Sequence, residues 1–342
     1  MRVIRGLSRI AQPRGGAVVT VGVFDGLHRG HRRVVEKIVA RARSYPKALE
    51  SVVVTFDPHP AKVLNHSEKA PSLISLEHRI RLLGELGLDK VVVLNFTKKF
   101  SRITPENFVK DILISKLGAK FIYVGENFYF GKKALGGLND LKNIAGAFGV
   151  KVYAVKPLKI DGRIVSSSAV RGLIAKGEID KAKKLLGRPV SILGTVLSGA
   201  RFARVLGYPT ANINPHHEVI PPAGVYAVLV NIRGMIRGGI LNIGVKPTFY
   251  GPGDEEPSIE AHIFDFKSRI YGDEIEVFFV KKIRAERRFK DASSLTVQIR
   301  KDQSLTLQIL NDVIKYSKRK VHKNGIGKRK EDRDNHRLQG TR

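Results

Sequence analysis

Residues 18–31, VVTVGVFDGLHRGH, restrict the possible fold more than any other stretch of this chain. An apolar run from Val18 to Phe24 stops at Asp25-Gly26, and His28 and His31 follow three residues apart. Val34, Val35, Ile38 and Val39 then recur at helical spacing, with Arg, Glu and Lys between them. The pattern predicts a strand, a tight turn and a helix that opens at His31. Residues three apart on a first helical turn share one face, so His28 and His31 would point the same way. That face lies where unpaired backbone N–H groups and the helix dipole already favour an anion. In isolation, H-x-G-H fits a surface loop with incidental histidines equally well. The strand before it and the amphipathic helix after it favour a nucleotide site, with the two imidazoles clamping phosphates.

The rest of the first half alternates strand and helix. Ser51–Phe56 is a β-branched run stopped by Asp57-Pro58-His59-Pro60. Leu76–Leu86 has helical spacing, and Val91–Phe96 is another strand. Pro105 to Leu117 reads as a helix with Thr104 as its N-cap and Pro105 in first position. Short strands at Phe121–Val124 and Lys151–Val155 flank an amphipathic segment, Leu138 to Ala147. Near-continuous apolar strands separated by helices imply a parallel sheet covered on both faces, an α/β Rossmann-like architecture. Ligands of such sheets bind beyond the carboxyl ends of the strands, so the two histidines and the Asp57–Pro60 turn should share one crevice. Two familiar motifs fail. No G-x-G-x-x-G follows the first strand, and GENFYFGKK (125–133) has the wrong spacing for a P-loop and lacks its Ser/Thr.

An amphipathic helix at Ile179–Gly187 ends at Gly187-Arg188-Pro189, and from there the pattern turns β-rich. Val190–Leu197, Gly224–Ile232, Arg237–Ile243, Ser258–Phe266 and Glu274–Lys282 cluster or alternate β-branched residues between Gly/Pro breaks. One helix follows, from Ala292 to about Tyr316. Five or six short antiparallel strands with a terminal helix predict a small closed barrel.

Composition limits the chemistry. With no cysteine, disulfides and thiolate metal sites are excluded. No apolar run approaches a membrane span, and residues 1–16 lack the apolar core of a signal peptide, so a cytoplasmic protein without membrane contact is expected. The formal net charge is +30, and residues 315–342 hold eleven Lys/Arg against three Asp/Glu. That tail reads as a solvated, disordered appendage able to touch RNA non-specifically, and no specific nucleic-acid partner is expected. The remaining excess suits ligands that carry several phosphates, and it suits a plain basic surface equally.

VGVFDGLHRGH, TFDPHP, VGENFYFG and VSSSAVR, in that order, resemble the N-terminal module of bifunctional riboflavin kinase/FAD synthetases, an H-x-G-H nucleotidyltransferase. GTVLSGARFARVLGYPTAN from Gly194, GVYAV from Gly224, NIGVKPTF from Asn242 and IEAHIFDF from Ile259 resemble riboflavin kinase. The resemblance implies FMN adenylyltransferase over residues 1–184, a riboflavin kinase barrel over 185–314 and the tail at 315–342. Riboflavin, FMN and ATP would be substrates, Mg²⁺ the metal, and FMN and FAD the products. It further implies that His28 and His31 hold the ATP phosphates, with Gly22, Phe24, Gly30, Ser166, Ser167 and Arg171 around them. His59, Asn127 and Phe128 would meet the flavin. In the second module Glu260 would be the catalytic base, Thr210 and Asn212 the magnesium ligands, and Gly199 and Arg204 ATP contacts. The chain departs from the family pattern at Tyr129 (usually Arg), Gly136-Gly137 (Gly-Asp), Ser168 (Thr) and Ala203 (Gly). Two other readings use the same residues: a kinase carrying a degenerate nucleotidyltransferase fold, and an RNA-binding relative of H-x-G-H enzymes.

Overall fold

The computed structural model describes residues 1–45, 48–64, 72–198, 208–216, 218–245 and 257–312. The chain divides into two compact units. One comprises Met1–Leu193 with Pro215–Pro221, the other Gly194–Asn214 with the chain from Pro222 onward.

The first unit is built on six parallel strands: β1 (Arg2–Arg5), β2 (Ala17–Val21), β3 (Glu50–Asp57), β4 (Lys90–Asn95), β5 (Ala119–Gly125) and β6 (Lys151–Val155). Their spatial order is β1-β4-β3-β2-β5-β6. From β2 the chain steps outward one way through β3 and β4, then returns to β5 on the other side, so the topological switch point lies between β2 and β5. Alternate strand residues feed two apolar layers. Val18, Val53 and Val91 pack with Val35 and Ile38 of α1 (Arg29–Ser44) and Leu82 and Leu83 of α3 (Leu76–Gly84), α2 being a short turn at Pro60–Leu64. Val19, Val52, Val54 and Val92 face the opposite layer. There they meet the helical run that opens as α4 (Pro105–Asn107) and α5 (Leu138–Gly146). Two more helices follow β6, α6 (Ser167–Ala175) and α7 (Ile179–Leu186), after a two-residue hairpin of β7 (Lys159–Ile160) and β8 (Arg163–Ile164).

Three differences from the sequence reading have local causes. α1 opens at Arg29, not His31, because the His28 ring is its N-cap: Nδ1 accepts the His31 backbone N–H at 3.2 Å. The helix from Pro105 has its Thr104 cap and its leading proline, but Phe108–Lys116 winds as a π-helix, with Leu117 N–H donating to the Ile112 carbonyl. β1 escaped the sequence reading because it is a four-residue edge strand flanked by arginines, the charged form in which exposed edges resist further pairing.

The second unit is a closed barrel in the order β10-β13-β12-β11-β14-β9. Its strands are β9 (Ser191–Leu197), β10 (Ala211–Asn214), β11 (Gly224–Ile232), β12 (Met235–Val245), β13 (Pro257–Ile263) and β14 (Glu274–Arg284). A helix over 292–312 follows, tied to β14 by Arg284, whose Nε and Nη2 donate to Asp302 Oδ2 at 3.0 and 2.9 Å. The expected tail and residues 313–316 of the expected last helix lie outside the described residues. β10, which opens at the Ala-Asn end of the Pro-Thr-Ala-Asn signature, was not read as a strand because four residues show no measurable period.

Gly194 of β9 is required by the approach of β10. A Cβ there would lie 2.4 Å from the Asn214 carbonyl oxygen and 2.5 Å from Ile213 Cγ2. Gly194→Ala should therefore push β10 away. We expect a loss of about 1–3 kcal/mol of barrel stability, the usual range for an overpacked core, measured by chemical denaturation. The positions of Thr210 and Asn212 should shift with it, because both lie on that segment.

Candidate active sites

The first site sits at the switch point, beyond the carboxyl ends of β2, β5 and β6. It is a cavity of about 400 Å³ whose lining includes Gly22, Phe24, His28, Gly30, His31, Asn127, Phe128, Ser166 and Ser167. Arg171 and His59, named with them from the sequence, are not part of that lining. The turn that delivers the histidines is tight: Phe24 and Leu27 hold φ of 54° and 38°, and Gly26 holds 77°. Only glycine fits that last position, since a Cβ would stand 2.7 Å from Leu73 Cδ1.

The H-x-G-H spacing has a steric basis as well. A Cβ on Gly30 would fall 3.1 Å from His28 Nδ1. With glycine there, the two imidazoles stack at 3.6 Å and 15° between planes, and Phe24 closes against His31 edge-on at 5.2 Å. Burial lowers the His28 pKa to about 4. His31 is also held well below its ordinary value, by burial first, then by His28 and Arg79. Both rings are therefore neutral at pH 7. Because His28 Nδ1 accepts a backbone N–H, its own proton is on Nε2, the atom free to meet a ligand. His31 Nδ1 and Thr20 Oγ1, both on the crevice wall, are buried without a hydrogen-bond partner. Two orphaned polar atoms beside a pair of imidazoles make this a site built for a polar ligand.

The titration has a consequence for stability. His28 binds its proton near 6.5 in an unfolded chain but near 4 in the fold. Between those values the unfolded state takes up a proton that the native state does not. This contribution is complete above pH 6.5 and is lost as pH falls toward 4, by about 3 kcal/mol at most. A melting series from pH 7 to 4 should show it, and His28→Asn, which keeps a capping acceptor, should flatten the slope. An unchanged slope in that variant would overturn the assignment.

Ser166 and Ser167 open α6. Ser166 Oγ caps it by accepting the Ala169 N–H at 3.2 Å, and Ser167 Oγ donates to the Asp25 carbonyl at 2.8 Å. Arg171, one turn on, donates from Nη2 to Asp25 Oδ2 at 2.9 Å. His59 stands outside the lining, its Nδ1 accepting the Ala61 N–H at 3.1 Å. Burial lowers its pKa, with Asp25 opposing and Arg79, Arg171 and Lys62 reinforcing the shift. Phe128 stacks on Phe130 at 5.4 Å, while Tyr129 between them is 68% exposed. Sequence reasoning missed Arg79, which is buried and donates from Nη1 to Thr55 Oγ1 and the Phe56 carbonyl at 3.0 and 3.2 Å. It also missed Lys156 in the lining, although a lysine directly after a parallel strand is a signal that could have been used.

In the second unit a cavity of about 370 Å³ is lined by Thr210, Asn212 and the loop from Phe266 to Tyr271, with Lys267 and Arg269 as cations. That loop was not anticipated. Glu260 is not in the lining but adjoins it. It faces Asn212 across β10–β13 and Asn242 across β12–β13, and Thr210 Oγ1 donates to its Oε2 at 3.4 Å. Ser258 Oγ donates to Oε1 at the same distance. The Pro209 carbonyl is pinned by His262 Nδ1 at 2.9 Å, which fixes the segment bearing Thr210. Among the described residues no cluster of His, Cys, Asp and Glu could hold a metal. Around Thr210, Asn212 and Glu260 a hydroxyl, an amide and a carboxylate stand together, a donor set that suits a hard cation. Gly199 and Arg204 lie outside the described residues.

The FAD synthetase family model matches residues 10–169, and the riboflavin kinase family model matches residues 186–310. A bifunctional riboflavin kinase/FMN adenylyltransferase of Buchnera aphidicola subsp. Schizaphis graminum is 34% identical over 313 residues, 91% of this chain and 99% of that protein. Its counterpart in Pseudomonas fluorescens is 36% identical over 302 residues, 88% of this chain and 96% of that one. A solved structure from Streptococcus pneumoniae, described as a macrolide-efflux protein, matches with TM-score 0.78 and 31% identity over 90% of this chain and 99% of its own. Among the described residues no helix is long and apolar enough to cross a membrane. With both family models placed in order and relatives aligned over nearly their whole length, the chain belongs to the bifunctional riboflavin kinase/FMN adenylyltransferase family.

Proposed function

We propose that the crevice of the first unit adenylylates FMN and that the cavity of the second phosphorylates riboflavin. In the first reaction an FMN phosphate oxygen attacks the α-phosphorus of ATP, and the bond to the β-phosphate breaks to release pyrophosphate. No protein nucleophile is needed, so positioning and charge stabilisation carry the rate. Neutral His28 and His31 donate to the phosphates, with Ser166, Ser167 and Arg171 at the α6 end, while Asn127 and Phe128 take the flavin side. The observation that carries this reading is the stacked imidazole pair set against the start of α6 on one cavity wall.

In the second reaction the riboflavin 5′-hydroxyl attacks the γ-phosphorus of ATP and ADP leaves, with Glu260 taking the hydroxyl proton. Thr210 and Asn212 would hold Mg²⁺ with the nucleotide. When bound, the metal neutralises charge on the transferring phosphates. Thr210 Oγ1 also orients the Glu260 carboxylate. The test is a time course with riboflavin, ATP and Mg²⁺ that resolves all three flavins. FMN should rise and then fall as FAD accumulates, with one pyrophosphate per FAD. An end point at FMN would reject the adenylylation half, and untouched riboflavin would reject the kinase half.

A further inference from the structure

We propose that Asp25 is a positioning residue for adenylyl transfer, its buried carboxylate holding Arg171 at the phosphate end of the crevice. This rests on the reading of that crevice given above. Asp25 stands at the tip of the turn that follows β2 and is only 3% exposed. It is fixed on three sides. Oδ1 accepts the Ile74 N–H at 3.3 Å, the backbone carbonyl accepts Ser167 Oγ at 2.8 Å, and Oδ2 accepts Arg171 Nη2 at 2.9 Å. One oxygen is thus committed to backbone, and the other is offered to the guanidinium.

Ser167 and Arg171 are four residues apart on α6, so both reach Asp25 from one helix face. Ser167 lines the cavity and Arg171 stands one turn behind it. Arg171 has more donors than Asp25 uses: its Nε is buried without a partner. A guanidinium has a fork of donors, so it can keep one bond to a carboxylate while another meets a phosphate oxygen. Untethered, this long side chain would sample many rotamers before meeting the nucleotide. Held by Asp25, it is organised beforehand, the condition under which a cation stabilises developing charge most. Arg79 is the buried cation here and also feels the Asp25 charge, but its Nη1 bonds go to Thr55 and Phe56. The guanidinium hydrogen-bonded to Asp25 is that of Arg171, whose side chain is about a third exposed.

The experiment is a cycle of Asp25→Asn, Arg171→Met and the double variant, each assayed for FMN adenylylation and riboflavin phosphorylation. Asparagine keeps an acceptor for the Ile74 N–H but removes the charge. Asp25→Asn should lower adenylylation kcat by about ten- to a hundredfold, on the analogy of carboxylates that orient metal-bound histidines. The KM for FMN and kinase turnover should stay unchanged. In the Arg171→Met background, Asp25→Asn should cost nothing further, because residues acting through one another are non-additive. Losses that multiply, or full activity in Asp25→Asn, would overturn the proposal while leaving the site reading intact. Full adenylylation by Arg171→Met would overturn both. If Asp25→Asn alone does not fold, the comparison of Arg171→Met with the double variant still decides. The double variant removes both members of the Asp25–Arg171 ion pair together, so equal rates support the role of Asp25 and a slower double variant refutes it.

Discussion

Glu260→Gln should cut riboflavin phosphorylation by roughly two to four orders of magnitude, the usual worth of a positioned general base. The substitution is nearly isosteric, and its amide oxygen can still accept from Thr210, so the barrel should melt where the parent does. What it removes is the carboxylate that accepts from Thr210 and faces Asn212. The KM for riboflavin should move by a few-fold at most, since the hydroxyl proton is transferred only as the bond to phosphorus forms. Added FMN should still become FAD, because the adenylylation residues belong to the other unit. Kinase turnover unchanged in this variant would remove Glu260 from the reaction and point to the oxygen set around Thr210 as sufficient by itself.

The features that could be read in advance were those written in neighbouring residues. The run Val18–Phe24, the Asp25-Gly26 stop and the apolar period of α1 gave the central strand, the turn and the helix within a few positions, since each is a local pattern of burial. The barrel was legible for the same reason, five of its six strands being short β-branched runs between breaks. What stayed hidden depends on residues far apart in the chain. Glu218 accepts the backbone N–H groups of Ser75 and Leu193 and pairs with buried His78, contacts that hold Pro215–Pro221 within the first unit. An isolated glutamate in a loop carries no sign of this. The two compact units divide inside β9, at Leu193/Gly194, while the riboflavin kinase family match begins at residue 186. Asp25 is a similar case. Its sequence context announced a turn, and only the approach of α6, some 140 residues on, gave it Ser167 and Arg171. His28 was legible as a ligand-facing residue but not as an N-cap, because imidazole is an unusual capping group and the cap displaces the helix start by two residues.

Replacing His28 or His31 with Ala should lower FAD formation by about a hundredfold or more, the scale for losing one preorganised donor. Both rings act here as neutral donors, held so by burial. A neutral imidazole donates through one nitrogen only, and in His28 the backbone N–H of His31 occupies Nδ1, leaving Nε2–H for the phosphates. Burial enforces that state down to about pH 4 for His28, so its donor should not change across the neutral range. Charge builds on the bridging oxygen between the α- and β-phosphates as pyrophosphate departs, and a fixed donor gains most at that moment. The loss should therefore appear in kcat rather than in the KM for FMN. His31→Ala also unstacks His28, whereas His28→Ala removes the cap of α1 and should destabilise the unit by about 1 kcal/mol. The two variants are thus separable by melting even if their rates fall equally. Reverse pyrophosphorolysis of FAD must fall by the same factor, since both directions cross one transition state. Riboflavin phosphorylation should be untouched in both variants. The opposing view, a nucleotidyltransferase fold without activity, starts from Tyr129 and Gly136-Gly137 and predicts that the parent protein stops at FMN. On that view the double-histidine variant and the parent would give the same flavin profile, and such a result would remove the imidazole pair from catalysis.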